Sequence, residues 1–510
     1  MKKLIILFLI PIINAHVHAQ TPIIEWQKSL GGSNDEVAMT IKQTSDGGYI
    51  VAGNSSSNNY DVSGNHGSAD YWVVKINDTG AIQWQKSLGG ISSDQAYSIQ
   101  QTSDGGYIVA GSTFSNDGNV TGFHGSVDYW IVKLNSSGVI LWEKCLGGTG
   151  GEDAYSIQQT SDGGYIIAGQ SNSNDGNVSG NHGGIDYWVV KLNDTGSIQW
   201  EKSLGGSGDD IAHVIRQTSD GGYIVAGVSN STNGEVTGNH GLGDCWVVKL
   251  NDTGAVQWQK SFGGSNEDEG WSVQQTSDGG YIVGSRSKSN NGDVSGNHGG
   301  YDYWVVKIND TGAIQWQKSF GGSGDDYLMS IKQISNGGYI VAGWTFSNNG
   351  DVSGNHGSVL PDYWIINLSS SGSIQWQNCL GGSGDDEASE IQQTSDGGYI
   401  VAGVSNSTDG EVSGNHGGYD YWVVKLSPTL GIHNLNQNKI KVGPNPTNGN
   451  IYITGTDKAN IKIYNCIGQL VKDANNVNYI SISEFPSGLY LIKLFNEYGQ
   501  PISQERIIKQ

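Results

Sequence analysis

The sequence predicts an all-β protein in which one four-stranded unit occurs seven times in succession. The phrase Gly-Gly-Tyr-Ile recurs at an interval of 58 residues five times and of 60 residues once. Two tryptophan series follow the same interval, and 78 glycines with only 3 methionines and 8 prolines favour short strands and tight turns over helices. The repeated tyrosines are Tyr49, Tyr107, Tyr165, Tyr223, Tyr281, Tyr339 and Tyr399.

Each repeat divides into four predicted strands, named A to D in chain order. In the second repeat, strand A covers 96–102 and ends at a Ser-Asp-Gly-Gly sequence typical of a tight turn. Strand B covers 107–111, strand C 129–134 and strand D 139–146, with a long polar loop between B and C. The Asp and Asn residues of the A–B and C–D turns favour turn conformations, so we predict a structural role for them.

Four strands repeated at this interval are typical of a β-propeller blade. The repeat region opens with a D strand at 23–30 and closes with a C strand at 421–426, and both edges would be bare in an open array. In a ring they pair, and the N-terminal strand completes the seventh blade. An open solenoid is the competing fold, but its terminal units would need polar caps. We therefore predict a seven-bladed β-propeller closed by its N-terminal strand.

The repeat resembles those of bacterial seven-bladed β-propeller proteins, and more loosely those of kelch-type propellers. The similarity lies in Gly-Gly-Tyr-Ile-Val-Ala-Gly, Asp-Tyr-Trp-Val-Val-Lys and Gln-Trp-Gln-Lys-Ser-Leu-Gly-Gly. The resemblance implies this architecture but no single activity, because propellers support many functions.

The chain is predicted to contain four segments. Residues 1–19 join two lysines, an apolar stretch and a small-residue cleavage site, which is typical of a secretory signal peptide. The propeller covers 22–427, a polar linker covers 428–438, and 439–510 form a small β-sandwich in which basic residues outnumber acidic ones. Export of the mature chain, to the medium or the outer cell surface, is the expected localisation.

The C-terminal segment contains Pro-Asn-Pro-Thr, Ile-Tyr-Asn-Cys-Ile-Gly-Gln, Phe-Pro-Ser-Gly-Leu-Tyr and a basic tail, in that order. It resembles the type A C-terminal sorting domain of the type IX secretion system of Bacteroidota. The resemblance implies that the type IX machinery is a partner, and that the domain is removed when the protein is attached or released. A terminal adhesion-type sandwich without a sorting role is the alternative. The residues that match the sorting motif are Pro444, Asn445, Pro446, Gly449, Gly468, Gly488 and Lys509.

Charge and hydropathy exclude several kinds of partner. The net charge is −22, which disfavours nucleic acid and anionic membranes. Beyond the signal peptide no segment is apolar enough to cross a bilayer, so we expect no transmembrane segment in the mature chain. The four cysteines are predicted to be isolated substitutions, not a disulfide framework.

An acidic residue follows each Leu/Phe-Gly-Gly sequence, on the side predicted to carry the D–A connections and the long B–C loops. A ring of carboxylates could form a face for a ligand or for cations such as Ca²⁺, which prefers oxygen ligands. Alternatively, each carboxylate caps its own loop by accepting backbone N–H bonds. Capping is favoured, because a calcium site needs about six or more oxygens around one ion. The seven residues are Glu36, Asp94, Glu152, Asp210, Asp268, Asp326 and Asp386.

One histidine lies in each long loop, and blade spacing is expected to hold these residues too far apart for a zinc site. We predict that each fixes its loop by a hydrogen bond to the Asp two residues before the strand C tryptophan. The same loops contain part of a calcium-loop pattern but lack the bidentate acid that ends an EF-hand loop. The histidines are His66, His124, His182, His240, His298, His356 and His416.

Most aromatic residues lie inside predicted strands with apolar neighbours, and their predicted role is packing. Phe114, Trp344 and Phe346 differ: they depart from the repeat at the start of a long loop. We predict that these three side chains form exposed contacts.

The sequence contains no catalytic signature: no serine-hydrolase elbow, zinc-protease motif, P-loop or dinucleotide fingerprint. Nearly identical loops in every blade suit multivalent binding better than one asymmetric active centre. We therefore predict a secreted or cell-surface, non-catalytic protein that acts in binding, adhesion or scaffolding of an extracellular protein or glycan. A multivalent glycan-binding propeller is the alternative, and a polysaccharide-active enzyme is the third hypothesis. No cofactor is predicted beyond the calcium considered above.

Overall fold

The computed structural model divides the chain into two compact units, Met1–Thr429 and Leu430–Gln510. In the part that it describes, regular secondary structure consists of β-strands, and no α-helix occurs. The predicted signal peptide, most of the predicted linker and Gly468 lie outside the described residues. The described residues are 21–357, 359–428, 441–454, 459–465, 469–495 and 501–510.

The first unit contains seven four-stranded antiparallel sheets, here called blades 1 to 7 in the order of their A strands. The A strands are Glu36–Gln43, Asp94–Gln101, Glu152–Gln159, Asp210–Gln217, Asp268–Gln275, Asp326–Gln333 and Asp386–Gln393. The B strands are Tyr49–Ser55, Tyr107–Thr113, Tyr165–Ser171, Tyr223–Ser229, Tyr281–Ser287, Tyr339–Thr345 and Tyr399–Ser405. The C strands are Asp70–Ile76, Asp128–Leu134, Asp186–Leu192, Asp244–Leu250, Asp302–Ile308, Asp362–Leu368 and Asp420–Leu426. The D strands of blades 1 to 6 are Ile82–Leu88, Ile140–Leu146, Ile198–Leu204, Val256–Phe262, Ile314–Phe320 and Ile374–Leu380, and Ile24–Leu30 serves blade 7.

The core lies between consecutive blades. Every residue of the C strands is buried, which explains their nearly continuous apolar sequence. The first five residues of strand D are half-buried or exposed, because strand D forms the outer edge of its blade, and its last two residues are buried. One apolar cluster joins Ile50 and Tyr71 of blade 1 to Ile99 and Trp130 of blade 2, and similar clusters recur around the ring.

The ring closes between the seventh blade and the N-terminus, as predicted. Strand Ile24–Leu30 pairs antiparallel with Asp420–Leu426, from Ile24 opposite Leu426 to Leu30 opposite Tyr421. Blades 7 and 1 are also joined directly, because the Tyr421 hydroxyl donates to the Trp72 carbonyl at 2.9 Å. The predicted seven-bladed all-β ring is confirmed in its sheet order and in its closing strand.

In six blades the tight A–B turn is fixed by an aspartate and a buried lysine, and blade 6 has Asn336 and Asn367 in their place. Asp46 Oδ1 accepts hydrogen bonds from Thr44 Oγ1 at 2.5 Å and from Gly48 N and Lys75 Nζ at 3.1 Å. Partial burial raises the pKa of the Asp46 carboxyl, but the hydrogen bonds from Thr44, Lys75 and Gly48 outweigh it and hold the pKa at about 2. The structural role predicted for the turn aspartates is therefore confirmed here.

The C-terminal unit contains two antiparallel sheets around one apolar cluster. The sequence predicts strands at 450–454, 460–464, 479–482, 488–494 and 505–509, and the structure adds Lys441–Gly443 and Leu470–Val477. The smaller sheet contains Lys441–Gly443, Asn450–Thr454 and Tyr479–Ser481. The larger sheet contains Leu470–Val477, Ala459–Tyr464, Gly488–Phe495 and Pro501–Lys509.

Candidate functional site

The seven acidic residues after Leu/Phe-Gly-Gly are buried, at the first position of each strand A. Glu36 Oε2 accepts a hydrogen bond from Gly32 N at 2.6 Å, and its Oε1 accepts one from the Ser55 hydroxyl at 2.7 Å. Asp326 accepts the equivalent bonds from Gly322 N and from the Thr345 hydroxyl, and its Oδ2 accepts a further one from the Ser347 hydroxyl at 2.9 Å. Burial raises the pKa of Asp326 to about 6, although these hydrogen bonds oppose the rise. The geometry is that of loop caps, not of carboxylates that face solvent.

The loop histidines form the hydrogen bonds predicted for them. His66 Nδ1 lies 2.6 Å from Asp70 Oδ2, and the backbone N–H of His66 donates to the same oxygen at 3.0 Å. Equivalent contacts occur in the other six blades. The predicted loop-fixing role is confirmed.

Cation binding by the seven acidic residues of the A strands, the alternative to capping, stays a hypothesis. In the neighbouring C strands, Oδ1 of Asp70 and of the six equivalent aspartates is buried and has no hydrogen-bond partner in the protein. In the described part of the chain, however, no group of three or more His, Cys, Asp or Glu side chains is arranged to hold a metal ion. A calcium site there would need ligands beyond these carboxylates.

A channel along the ring axis is lined by the A strands of all seven blades. Each A strand has a β-bulge, which in blade 1 lies between Ala38 and Thr40. Because the bulge inserts one extra residue, both Met39 and Thr40 line the channel, followed by Lys42. The bulged residues of the seven blades are Met39, Tyr97, Tyr155, His213, Trp271, Met329 and Ser389.

Four of these bulged residues form an arc of rings on one side of the channel. Ring centroids are 5.0 Å apart between Tyr97 and Tyr155, and 5.9 Å apart between Tyr155 and His213. His213 stacks on Trp271 at 3.9 Å, with the planes 10° apart. His213 Nδ1 lies 2.9 Å from the Gly270 carbonyl, and burial lowers the pKa of this imidazole. The arc is confined to blades 2 to 5 and therefore makes the channel asymmetric.

The arc continues onto the face that carries the B–C loops of blades 5 and 6. The Arg286 guanidinium lies 5.0 Å from the ring centroids of Trp271 and Tyr327 and 5.1 Å from that of Tyr301. Its charge is paired with Glu269 at 2.7 Å. An Arg held over several aromatic faces gains cation–π attraction at each.

Two of the predicted contact residues complete this cluster. Trp344 and Phe346 lie with ring centroids 5.3 Å and 6.4 Å from that of Tyr327. Phe346 is 40% exposed. Trp344 is half-buried and lies within a B strand, so its predicted place at the start of a loop is wrong by two positions. We call the set of Arg286, Tyr301, Tyr327, Trp344 and Phe346 the blade 5–6 aromatic cluster.

Phe114, the third predicted contact residue, occupies in blade 2 the position that Phe346 has in blade 6. It is 44% exposed, and no ring contact joins it to another described aromatic residue. The structure therefore brings Trp344 and Phe346 together and leaves Phe114 apart.

In the C-terminal unit, three of the residues that match the sorting motif, Asn445, Gly488 and Lys509, lie at the last strand. Asn445 Nδ2 donates to the Arg506 carbonyl at 2.7 Å, and Ile508 N donates to Asn445 Oδ1 at 3.0 Å. Gly488 lies opposite Lys509 in the larger sheet. The Pro-Asn-Pro segment and the basic tail thus form one edge of this unit.

Comparison with protein families gives a match over the same segment. Residues 441–510 match the model of the secretion system C-terminal sorting domain. The C-terminal unit is a secretion-system sorting domain. Its presence implies export of the chain by the type IX route, to the cell surface or the medium. Among the described residues, no helix is long and apolar enough to span a bilayer.

A weaker match covers about a third of the chain. The regulatory protein FlaEY of Caulobacter vibrioides is 27% identical over 205 residues, which are 35% of this chain and 20% of that protein. The chain thus matches only about a fifth of that protein's length.

Solved structures with similar folds are distant in sequence. PorZ, a surface component of the type IX secretion system of Porphyromonas gingivalis, is 12% identical with a TM-score of 0.43, over 94% of this chain and 60% of PorZ. The Pan2 WD40 domain of Neurospora crassa is 9% identical with a TM-score of 0.44, over 78% of this chain and 95% of that domain. A fungal alcohol oxidase in complex with copper is 12% identical with a TM-score of 0.44, over 96% of this chain and all of that one. We infer no function from these values.

Proposed function

We propose that this exported propeller is a non-catalytic binding protein, and that it contacts an extracellular protein or glycan through the blade 5–6 aromatic cluster. The observation that carries the proposal is the position of Trp344 and Phe346. Both depart from the repeat, both pack on Tyr327, and Phe346 remains 40% exposed. Aromatic rings beside a polar charged group suit a partner that is apolar on one face and polar at its edge, such as a sugar ring or an aromatic side chain.

The charge distribution of the cluster supports recognition without catalysis. Arg286 is paired with Glu269, and the Tyr301 hydroxyl donates to Glu267 at 2.6 Å. Lys288 lies 3.1 Å from Glu267 and 4.1 Å from the Tyr301 ring centroid. Each charge thus has a partner already, whereas general acid–base chemistry needs a group that is free to exchange a proton with a substrate.

The number of ligands bound distinguishes the two binding hypotheses. A multivalent glycan-binding propeller would use equivalent positions in all seven blades. The cluster depends on residues found in blades 5 and 6, so the proposal predicts one site. Calorimetric titration with a ligand found by array screening would separate a stoichiometry near one from one near seven.

The proposal is tested by substitutions that place residues of other blades into the cluster. Phe346→Asn introduces the residue found at Asn230 and Asn406, and Trp344→Val introduces that of Val228 and Val404. We expect each to weaken capture of an extracellular protein or of arrayed glycans by about tenfold or more, as expected for loss of an aromatic anchor. Phe114→Asn is the matched control and should leave binding unchanged.

Three results would contradict the proposal. Equal loss of binding in Phe114→Asn would place the contact elsewhere. No ligand from surface extracts or glycan arrays would remove the binding role. New reducing ends or unsaturated products from polysaccharide mixtures would favour the enzyme hypothesis.

A further inference from the structure

The axial channel collects positive charge inside a protein whose net charge is −22. Three residues after the bulge position of strand A, four blades carry glutamine. Blades 1, 4 and 6 carry Lys42, Arg216 and Lys332 there, and all three line the channel. Because no two of these blades are neighbours, the cations approach the channel from different sides. The glutamines are Gln100, Gln158, Gln274 and Gln392.

Glu390 is the one carboxylate among the described residues that line this channel, and blade 1 already engages it. Its Oε2 accepts hydrogen bonds from Thr40 Oγ1 at 2.7 Å and from Ile41 N at 3.1 Å. Its Oε1 forms a short ion pair with Lys42 and lies 3.6 Å from Lys332 Nζ. One carboxylate therefore serves two lysines and also joins blades 7 and 1.

Arg216 has only neutral acceptors. Its Nη1 donates to the Ser156 hydroxyl at 3.0 Å and to the Ile215 carbonyl at 2.8 Å. No other described residue accepts a hydrogen bond from its remaining N–H groups. Burial, with repulsion from Arg216, lowers the pKa of Lys332 to about 7. The channel thus contains three cationic side chains and one carboxylate, and partly buried charge of this kind is costly without a counter-ion.

We propose that the axial channel is a binding site for a small oxyanion, a phosphate or carboxylate group, held by Arg216 and Lys332 with Lys42 beside them. The guanidinium fork binds two oxygens of such a group at once, and an ammonium adds a point charge. The cavity volume is about 110 Å³, which is enough for several water molecules. That volume also accommodates an ion the size of phosphate or a short carboxylic acid.

The site also predicts a pH dependence. The charged and titratable groups that face it are Lys42, Arg216, Lys332, Glu390, His213, Tyr97 and Tyr155. Burial raises the pKa of both tyrosines, so they stay neutral in this range. Burial lowers the pKa of His213, so the imidazole is neutral near pH 7 and adds no charge. Lys332 loses its proton as the pH rises through about 7, so acetate affinity should fall from pH 6 to pH 8, a range in which acetate keeps its charge.

The test is calorimetric titration of the purified protein with sodium phosphate and, separately, with sodium acetate at constant ionic strength. Arg216→Gln and Lys332→Gln introduce the residue that four other blades carry, so the strand should be retained. We expect each to weaken binding by about tenfold, the effect of losing one charge-assisted hydrogen bond. Lys86→Gln removes a lysine from the outer strand D of blade 1 and is the matched control.

A second variant tests whether removing negative charge from the channel strengthens anion binding. Glu390→Ser introduces the serine of blades 2, 3, 5 and 6 and removes the internal carboxylate. Its phosphate affinity should rise. Heat with phosphate alone, or with acetate alone, identifies which of the two anions the site accepts. The proposal is overturned if neither anion gives heat at tens of millimolar, or if Arg216→Gln, Lys332→Gln and Lys86→Gln bind alike.

Discussion

Cys245 and Ser285 show how one departure from the repeat accompanies another. In six blades the second residue of strand C is a tyrosine, and the facing residue of the next blade is glycine. A Cβ on Gly53 would lie 1.8 Å from the Val37 carbonyl oxygen and 2.9 Å from the Tyr421 hydroxyl. A Cβ on Gly111 would lie 1.9 Å from the Gln95 carbonyl oxygen and 2.6 Å from the Tyr71 hydroxyl. Blade 4 has Cys245 in place of the tyrosine, and Ser285 Oγ of blade 5 lies 3.4 Å from its Sγ. The serine thus uses space that a tyrosine would need.

This pairing predicts a coupled effect of two substitutions. Cys245→Tyr alone should destabilise the protein by about 1–3 kcal/mol, the usual cost of overpacking a filled core. Adding Ser285→Gly should recover part of that loss. Urea unfolding midpoints of the two single variants and the double variant measure the coupling. Cys145→Ser, which introduces the residue of Ser87 and Ser203, is the control, and strictly additive effects would contradict the argument.

The channel residues show where reading single residues from the repeat fails. The repeat pattern shows what the blades share and therefore hides positions at which single blades differ. Comparing those differing positions across the blades identifies four channel residues: Lys42, Arg216, Lys332 and Glu390. The bulge adds a second difficulty, because strict alternation would send Met39 and Thr40 to opposite sides of strand A. A comparison of the seven residues at the Lys42 position would have revealed the three cations.

The strand Ile24–Leu30 is the element on which closure depends. Its removal would leave the Asp420–Leu426 edge with unpaired N–H and C=O groups, and the Trp422 indole would lose its 2.9 Å hydrogen bond to Gln27. A chain that starts after residue 32 should therefore aggregate or lose its cooperative melting transition, as measured by size-exclusion chromatography and calorimetry. A chain that starts at residue 21 is the control, and a synthetic 22–32 peptide should restore the transition. An unchanged melt in the shortened chain would show that closure does not depend on this strand.

The strands of the C-terminal unit were predicted less completely than the blades. Strand Leu470–Val477 is mostly exposed and carries Lys, Asp and Asn, so it lacks an apolar pattern by which to recognise it. This segment forms a strand because it pairs with Ala459–Tyr464, and its own sequence does not indicate a strand. In the propeller, by contrast, seven copies of one pattern made both strand type and closure predictable.

Two sets of carboxylates give the whole protein a predicted pH optimum. Burial raises the pKa of Asp326, Asp386 and Asp420 to about 6 from an ordinary value of 3.8. The folded state therefore holds these protons more tightly than the unfolded state, and stability falls as the pH rises from about 4 to 6. The turn aspartates, such as Asp46 with its pKa of about 2, act in the opposite sense, so stability also falls from about pH 4 to 2.

Thermal unfolding followed by circular dichroism from pH 3 to pH 8 measures this optimum. We expect the highest melting temperature near pH 4 to 5, because a tenfold difference in proton affinity corresponds to about 1.4 kcal/mol per group. Two histidines also make the stability fall as the pH rises, in a higher pH range than the carboxylates. Burial lowers the pKa of His182, but the bond to Asp186 and the charge of Glu235 outweigh it and raise the pKa. A maximum at pH 7 or above would contradict the assignment.

The position of the closing strand in the sequence also determines when during synthesis the ring can close. Ile24–Leu30 is synthesised before any blade, yet its partner Asp420–Leu426 is made last in the propeller. Pairing across such a sequence separation is slow, because a long loop must close first. The seventh blade therefore stays incomplete until the whole repeat region has emerged. During that interval the chain has two open sheet edges, so the period before closure is when a chaperone or the export machinery has most to bind.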